Sequence, residues 1–249
     1  MRGLAGKAAL VTGAGGPMGA AIAARLAAEG VDLVLTDISG TRLDATARRI
    51  GGDRVATHRA DATVRDEALA VAAHGVARFG RIDILVNVVG GIRAARLYTP
   101  FLEMSEAQWD STLALNLKPS FHLIQALAPG MLERRSGRIV NISSVVLGGE
   151  GGQSDYAAAK AAVAALTRSL AQEFAPHVNV NCVAPGLIET KGVERLTEAE
   201  RQGFIDRSFM SRLGQPDEVA AAVAFLASDD AAFMTGEILA VSGGHHPHL

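Results

Sequence analysis

A chain of 249 residues, 49% hydrophobic and 20% charged, can bury a large core, and doubly wound folds of this length commonly form one domain, so a single domain over 1–249 is expected. The formal net charge of −2 comes with Lys and Arg scattered along the chain, which leaves no basic stripe to neutralise a phosphate backbone and argues against nucleic acid as a partner. No apolar run approaches the roughly 20 residues needed to span a bilayer. The chain also enters a strand pattern by Ala8 with no room for a secretory leader, so no membrane partner and a cytoplasmic location are expected. Cys182, the single cysteine, can form neither an intrachain disulfide nor a cysteine-based zinc site, and its strand-like surroundings predict burial.

In chain order, the apolar period alternates between short β-like runs and longer helical ones. Ala8–Val11, Leu33–Thr36, Val55–Arg59, Ile84–Val88, Arg138–Ile142, Val178–Val183 and Ile238–Val241 read as strands. Helices are predicted over Met18–Glu29, Thr41–Ile50, Val64–Phe79, Ser105–Leu132, Ser154–Phe174 and Asp217–Ala227, with Ser39, Ser154 and Asp155 as capping candidates. Strands apolar on both faces and separated by helices predict a mainly parallel α/β sheet, doubly wound by right-handed crossovers and covered on both sides. Val89–Met104 and Ala184–Ser211 fit neither period. Both follow strands at their carboxyl ends, where open α/β sheets place ligands, so they are the expected walls of a substrate site, with 187–211 as its cover.

The first strand runs into Gly13-Ala14-Gly15-Gly16-Pro17-Met18-Gly19 and then a helix. Glycines in that position let the backbone approach a pyrophosphate, whose charge the helix N-terminus favours. The plainer reading is an ordinary tight turn, and Asp37 argues against it. This residue closes the next strand about twenty residues on, where a carboxylate can accept hydrogen bonds from ribose hydroxyls and would repel a 2′-phosphate. With no Lys or Arg inside the turn, NAD is expected over NADP, although Arg42 is close enough to reach around.

Tyr156-Ala157-Ala158-Ala159-Lys160 puts a phenol and an ammonium on one helix face. A neighbouring positive charge favours phenolate, and a phenol so tuned can give a proton to a carbonyl or take one from an alcohol. The alternative is a surface Tyr beside a solvated Lys. Upstream, Arg138–Ser144 reads as a strand ending in two hydroxyls at the ligand edge, available to hold a reacting oxygen or simply to form a turn.

Together the glycine turn, Asp37, Asn87, Asn116, Ser143-Ser144, Tyr156/Lys160 and Val183-Ala184-Pro185-Gly186 resemble the short-chain dehydrogenase/reductase family over essentially the whole chain. The resemblance implies a Rossmann-type, three-layer sheet of about seven strands, a homotetramer or homodimer, and a catalytic set of Asn116, Ser144, Tyr156 and Lys160. In that set Tyr156 is the acid/base, Lys160 lowers its pKa and binds the nicotinamide ribose, the serine orients the reacting oxygen, and Asn116 supports a water-linked proton path. The family's usual spacing before Tyr156 lands on Ser143, whereas the strand-end pattern lands on Ser144. The strand register is preferred, because a strand fixes which side its residues face while the loop Leu147–Gly152 absorbs a deletion.

The same resemblance assigns the cofactor to Gly13, Gly15, Gly16, Met18, Gly19, Asp37, Asp61, Ala62, Asn87, Gly90, Tyr156, Lys160, Pro185, Gly186, Ile188 and Thr190, and no metal. Departures are Pro17 in place of a phosphate-loop glycine, Val89 where a small residue is usual, and Ser242 in place of an Asp, followed by His245, His246 and His248, for which a disordered or subunit-contacting tail is expected. The leading functional expectation is hydride transfer between the cofactor and a secondary alcohol/ketone or cyclic diol. The alternatives are an NADPH-dependent 3-ketoacyl carrier-protein reductase, which shares the Gly151–Tyr156 pattern, and a non-catalytic nucleotide sensor or scaffold.

Overall fold

The computed structural model describes residues 1–93, 96–190, 193 and 196–245. Seven strands form one sheet in the order β3-β2-β1-β4-β5-β6-β7. They are β1 Ala8–Thr12, β2 Asp32–Asp37, β3 Val55–Arg59, β4 Ile84–Asn87, β5 Gly137–Ile142, β6 Val178–Pro185 and β7 Ile238–Val241, and every pairing is parallel. The helices are α1 Pro17–Ala28, α2 Gly40–Ile50, α3 Arg65–Phe79, α4 Glu106–Glu133, α5 Ser154–Phe174, α6 Glu198–Arg207 and α7 Pro216–Ala227.

The two-residue period of the strands sorts the core into two clusters. Ala9 and Val11 of β1, with Ile84 and Val86 of β4, pack against Ile22 and Leu26 of α1 and Val219 and Val223 of α7. Leu10 and Leu85 point the other way, towards Val71 of α3 and Leu123, Leu127 and Met131 of α4. This gives the three-layer, doubly wound architecture predicted from strands apolar on both faces. The crossovers change direction between β1 and β4, so the carboxyl ends of these two strands diverge into a cleft at the switch point.

Strand and helix boundaries differ from the predicted ones by one or two residues, with three substantive exceptions. Helix α6 was not predicted. It lies inside the Ala184–Ser211 stretch, starts with a reciprocal capping box between Thr197 and Glu200, and buries none of its residues. The capping expectations also need correction. Ser39 is the N-cap of α2 but makes no side-chain cap bond, and α5 starts one residue earlier than a Ser154 cap requires, with Gln153 at the N-cap position and no side-chain cap bond there either. Asp155 sits in the first turn of α5, its carboxylate accepting from Thr112 Oγ1 at 2.8 Å, from Gln108 Nε2 at 3.1 Å and from its neighbour Tyr156 N at 2.8 Å.

Candidate active site

The glycine turn and its carboxylate form one hydrogen-bonded unit. Gly13 has a φ of +61°, which glycine adopts without strain, and a Cβ on Gly19 would lie 2.3 Å from the Gly13 carbonyl oxygen, so only glycine lets α1 start this close to β1. Asp37, 7% exposed, accepts from Gly15 N at 3.0 Å through one oxygen, and from Ser39 N at 2.8 Å and Arg42 at 3.2 Å through the other. The carboxylate therefore fixes the turn as well as facing the cleft. Above it lies a cavity of about 350 Å³ walled by Gly13, Gly16, Pro17, Met18, Gly19, Asp37, Asp61, Ala62, Gly90 and Thr190, along with Arg42 and Arg93. The Thr63 hydroxyl, bonded to Asp61 at 2.6 Å, holds that carboxyl below the usual range.

Seven expected cofactor residues do not line this cavity: Tyr156 and Lys160, described below, and Gly15, Asn87, Pro185, Gly186 and Ile188. Gly15 is turned towards Asp37, and Pro185 simply closes β6. Ile188, 6% exposed, packs its side chain towards Gly214. Asn87 is buried between strands, its Nδ2 donating to Asn141 Oδ1 at 2.9 Å while its own Oδ1 has no protein partner. Gly186 lines a second cavity instead.

The second cavity, about 270 Å³, holds Ser144, Tyr156, Gly186, Gln153 and Glu150 among mainly apolar neighbours, Ile92, Leu97, Val145, Val146, Leu187, Val193, Leu196 and Phe204, with His245 at its side. Gly91, Ile92 and Thr190 line both cavities, so the two open onto a common wall. Among the aromatic and basic residues of the irregular loops, Phe204 reaches this second cavity. Arg93 faces the first, Arg96 pairs with Glu103 on the surface, and Phe209 is 77% exposed. Gln153 and His245 were not among the expected site residues, yet both line the cavity. The only signal for Gln153 is its place three residues before Tyr156. His245, expected in a tail, is 8% exposed, and His246 and His248 lie outside the described residues.

The two serines at the end of β5 face opposite ways. Ser143 donates its hydroxyl to the Lys160 carbonyl at 2.8 Å and is buried. Ser144 opens into the second cavity and hydrogen-bonds the Tyr156 hydroxyl, which that bond alone pulls down in pKa. Burial dominates, however, and pushes the Tyr156 phenol up to about 12. Lys160, 3% exposed, donates from Nζ to the Ile142 carbonyl at 3.0 Å and lies 5.6 Å from the Tyr156 ring centre. Desolvation brings its amine down to about 8. The expected lowering by the ammonium is not what dominates here: helix spacing puts both groups on one face, but burial raises the phenol and the contact that lowers it is Ser144.

Asn116, 1% exposed on α4, grips the loop after β4. Its Oδ1 accepts from Gly91 N at 2.9 Å, while Nδ2 donates to Gly91 O at 3.0 Å and to Thr112 O at 2.8 Å. A side chain on Gly90 would come within 2.6 Å of Asn116 Oδ1 and 2.8 Å of Lys160 Nζ, so Asn116, Lys160 and the loop converge at this glycine. Cys182 is buried, as its strand position predicted, and burial pushes its thiol up to about 12.

Residues 13–246 match the family described as enoyl-(acyl carrier protein) reductase. The 3-oxoacyl-[acyl-carrier-protein] reductase FabG of Thermotoga maritima is 40% identical over 245 residues, 97% of this chain and 98% of that protein. The (2S)-[(R)-hydroxy(phenyl)methyl]succinyl-CoA dehydrogenase subunit BbsD of Thauera aromatica is 40% identical over 248 residues, 97% of each. Among solved structures, a 7α-hydroxysteroid dehydrogenase complexed with NADH and 7-oxo glycochenodeoxycholic acid superposes with a TM-score of 0.92 at 34% identity, covering 99% of this chain and 96% of that one. A short-chain dehydrogenase/reductase of Brucella melitensis, a glucose/ribitol dehydrogenase by name, does so with a TM-score of 0.89 at 37% identity over 96% of each chain. The chain belongs to the short-chain dehydrogenase/reductase family of NAD(P)-dependent oxidoreductases.

Proposed function

We propose that the chain interconverts 3-oxoacyl and 3-hydroxyacyl thioesters, with NAD preferred as the nicotinamide cofactor. The carrying observation is the Ser144–Tyr156 hydroxyl pair at the head of a largely apolar cavity that shares a wall with the glycine cleft. The thioester class rests on the relatives, FabG proteins and a hydroxyacyl-CoA dehydrogenase among them. They favour the carrier-protein alternative over the secondary alcohol or cyclic diol first expected.

The residues present fit a dinucleotide. Gly13, Gly16 and Gly19 bring backbone up to the cleft floor, and Asp37 offers a buried carboxylate to a ribose while opposing a 2′-phosphate. Lys160, beneath Gly90, is the group to hold the second ribose. A bound nicotinamide would supply the hydride exchanged with the carbonyl or alcohol carbon. The chain handles the proton. Ser144 Oγ orients the reacting oxygen, and Tyr156, protonated at neutral pH by virtue of its raised pKa, donates to that oxygen as the carbonyl is reduced. In the reverse direction the phenolate takes the proton back. Asn116 acts by holding the loop that separates the two cavities. The segment 187–211 covers the substrate, since Leu187, Thr190, Val193, Leu196 and Phe204 all face it.

The test is absorbance of NADH and NADPH with acetoacetyl-CoA, with an acetoacetyl carrier protein, and with cyclic secondary alcohols. Turnover of either thioester, faster with NADH, is the expected result. Turnover of cyclic alcohols alone would restore the secondary-alcohol reading, which the steroid dehydrogenase neighbour favours. Tight cofactor binding with no turnover of any substrate would leave the nucleotide-sensor reading.

A further inference from the structure

Among the polar side chains of the second cavity, the sequence motifs and the proton-transfer set give Gln153 no task. Gln153 is 5% exposed, three residues before Tyr156 at the mouth of α5. Its backbone is fully used, N donating to Glu150 O at 3.1 Å and O accepting from Ala157 N at 2.8 Å. Its side chain makes no cap bond although it occupies the N-cap position, and among the described residues no hydrogen bond engages the amide. The amide opens onto the cavity that also holds the Ser144 and Tyr156 hydroxyls. A substrate filling the cavity shuts water away from this amide, so a ligand oxygen that engages it avoids the cost of leaving it unpaired.

Resting on the thioester reading above, we infer that Gln153 is a specificity-determining residue that donates an amide hydrogen bond to the thioester carbonyl of a β-dicarbonyl substrate while Ser144 and Tyr156 hold the carbonyl being reduced. Neighbours three apart along a helical turn sit about 5–6 Å apart at Cβ. Gln153 and Tyr156 are so spaced along the chain and open into one cavity, an arrangement suited to two oxygens borne on alternate carbons of one short chain. The surrounding walls, Val145, Val146, Leu187 and Phe204, are apolar and compete for neither oxygen. A substrate lacking the second carbonyl leaves the amide unpaired and is discriminated against, as sites built around a buried polar group do. Of the other polar side chains here, Glu150 pairs with Arg207 at 3.6 Å and carries the wrong charge to meet a carbonyl oxygen, and His245 lies at the cavity's side with its ring 6.4 Å from that of Phe204.

The test compares Gln153→Leu, Gln153→Glu and Gln153→Asn with the wild type on acetoacetyl-CoA and on a plain monoketone of similar size, with NADH affinity read by fluorescence. The Leu variant is expected to lose about 10-fold or more in kcat/KM on the thioester, to hold or gain on the monoketone, which no longer leaves an amide unpaired, and to keep NADH affinity and melting temperature. The Glu variant loses more, because its oxygens repel the carbonyl, and the shorter Asn falls between. Equal losses on both substrates, or none on the thioester, would overturn the role of Gln153 while leaving the thioester reading standing. A wild type that reduces the monoketone but not acetoacetyl-CoA would overturn both.

Discussion

Ser143 and Ser144 are adjacent in sequence and serve opposite sides of β5, the first donating to the Lys160 carbonyl at 2.8 Å, the second hydrogen-bonded to the Tyr156 phenol. Ser144→Ala is therefore expected to cut kcat by about 10² or more with the melting temperature nearly unchanged. Ser143→Ala should cost about 1–3 kcal/mol of stability with a smaller loss of turnover. Denaturation midpoints and steady-state kinetics on both variants separate the roles, and a reversal of the pattern would exchange them.

Tyr156→Phe removes only the titrating hydroxyl. Retained fold and cofactor binding with a loss of turnover of about 10²–10⁴ is expected, checked by circular dichroism, NADH titration and kinetics. Near-normal activity would reject Tyr156 as the proton donor.

The raised phenol sets the pH profile. With Tyr156 pushed up to about 12, the donor stays protonated across neutral pH, so ketone reduction should be flat from roughly pH 6 to 8. Alcohol oxidation needs phenolate and should climb with pH across the same range and beyond. Lys160 supplies a second, independent signature. Its amine stands at about 8 against an ordinary 10.5, so above pH 8 the unfolded chain binds the extra proton and wild-type stability gains as pH rises towards 10.5. Lys160→Met lacks that gain, and the melting difference between variant and wild type should change across this window. A constant difference would refute the lowered amine.

Asp37→Asn keeps the shape of the carboxylate but removes its charge and one of its acceptors. The ratio of NADPH to NADH affinity should rise about 10-fold, since Arg42, half exposed and no longer ion-paired, is left to a 2′-phosphate. Because Gly15 N and Ser39 N both donate to Asp37, a stability loss of about 1 kcal/mol should accompany it. Unchanged cofactor preference in binding titrations would remove Asp37 as the discriminator.

Thr197→Ala breaks both halves of the α6 capping box, a change worth about 1 kcal/mol to that helix. Since α6 buries no residue of its own, global melting should barely move, while amide exchange in 198–207 accelerates and KM rises with little change in kcat. A matching fall in kcat would tie α6 to the chemical step.

The sheet was legible because its signal is collective. Seven runs such as Leu33–Thr36 and Val178–Val183 alternate with helical stretches, and burial on both faces leaves little freedom in how they pair. Helix α6 was not, for the converse reason: with no buried face it has no apolar period, although Thr197-Glu198-Ala199-Glu200 carries a capping signature that could have disclosed it. Strand register chose Ser144 as the cavity-facing serine, since alternation along β5 is a local rule. The effect of burial on Tyr156 and Lys160 was not legible, because spacing reports which groups are neighbours and not how much water surrounds them. Gln153 and His245 escaped for a related reason: the loops that carry them to the cavity have no period from which their direction could be read.

Among the described residues, the wall common to the two cavities is formed by Gly91, Ile92 and Thr190, with Gly91 clasped at both its N–H and its carbonyl by Asn116. The remaining lining of the substrate side comes largely from Val145, Val146, Leu187, Val193 and Phe204, side chains outside the sheet and absent from the nucleotide side. Mutations there can retune what is oxidised or reduced while the redox partner keeps its grip. In such an architecture new substrate preferences can arise by drift at a few peripheral positions, with the chemical engine inherited intact.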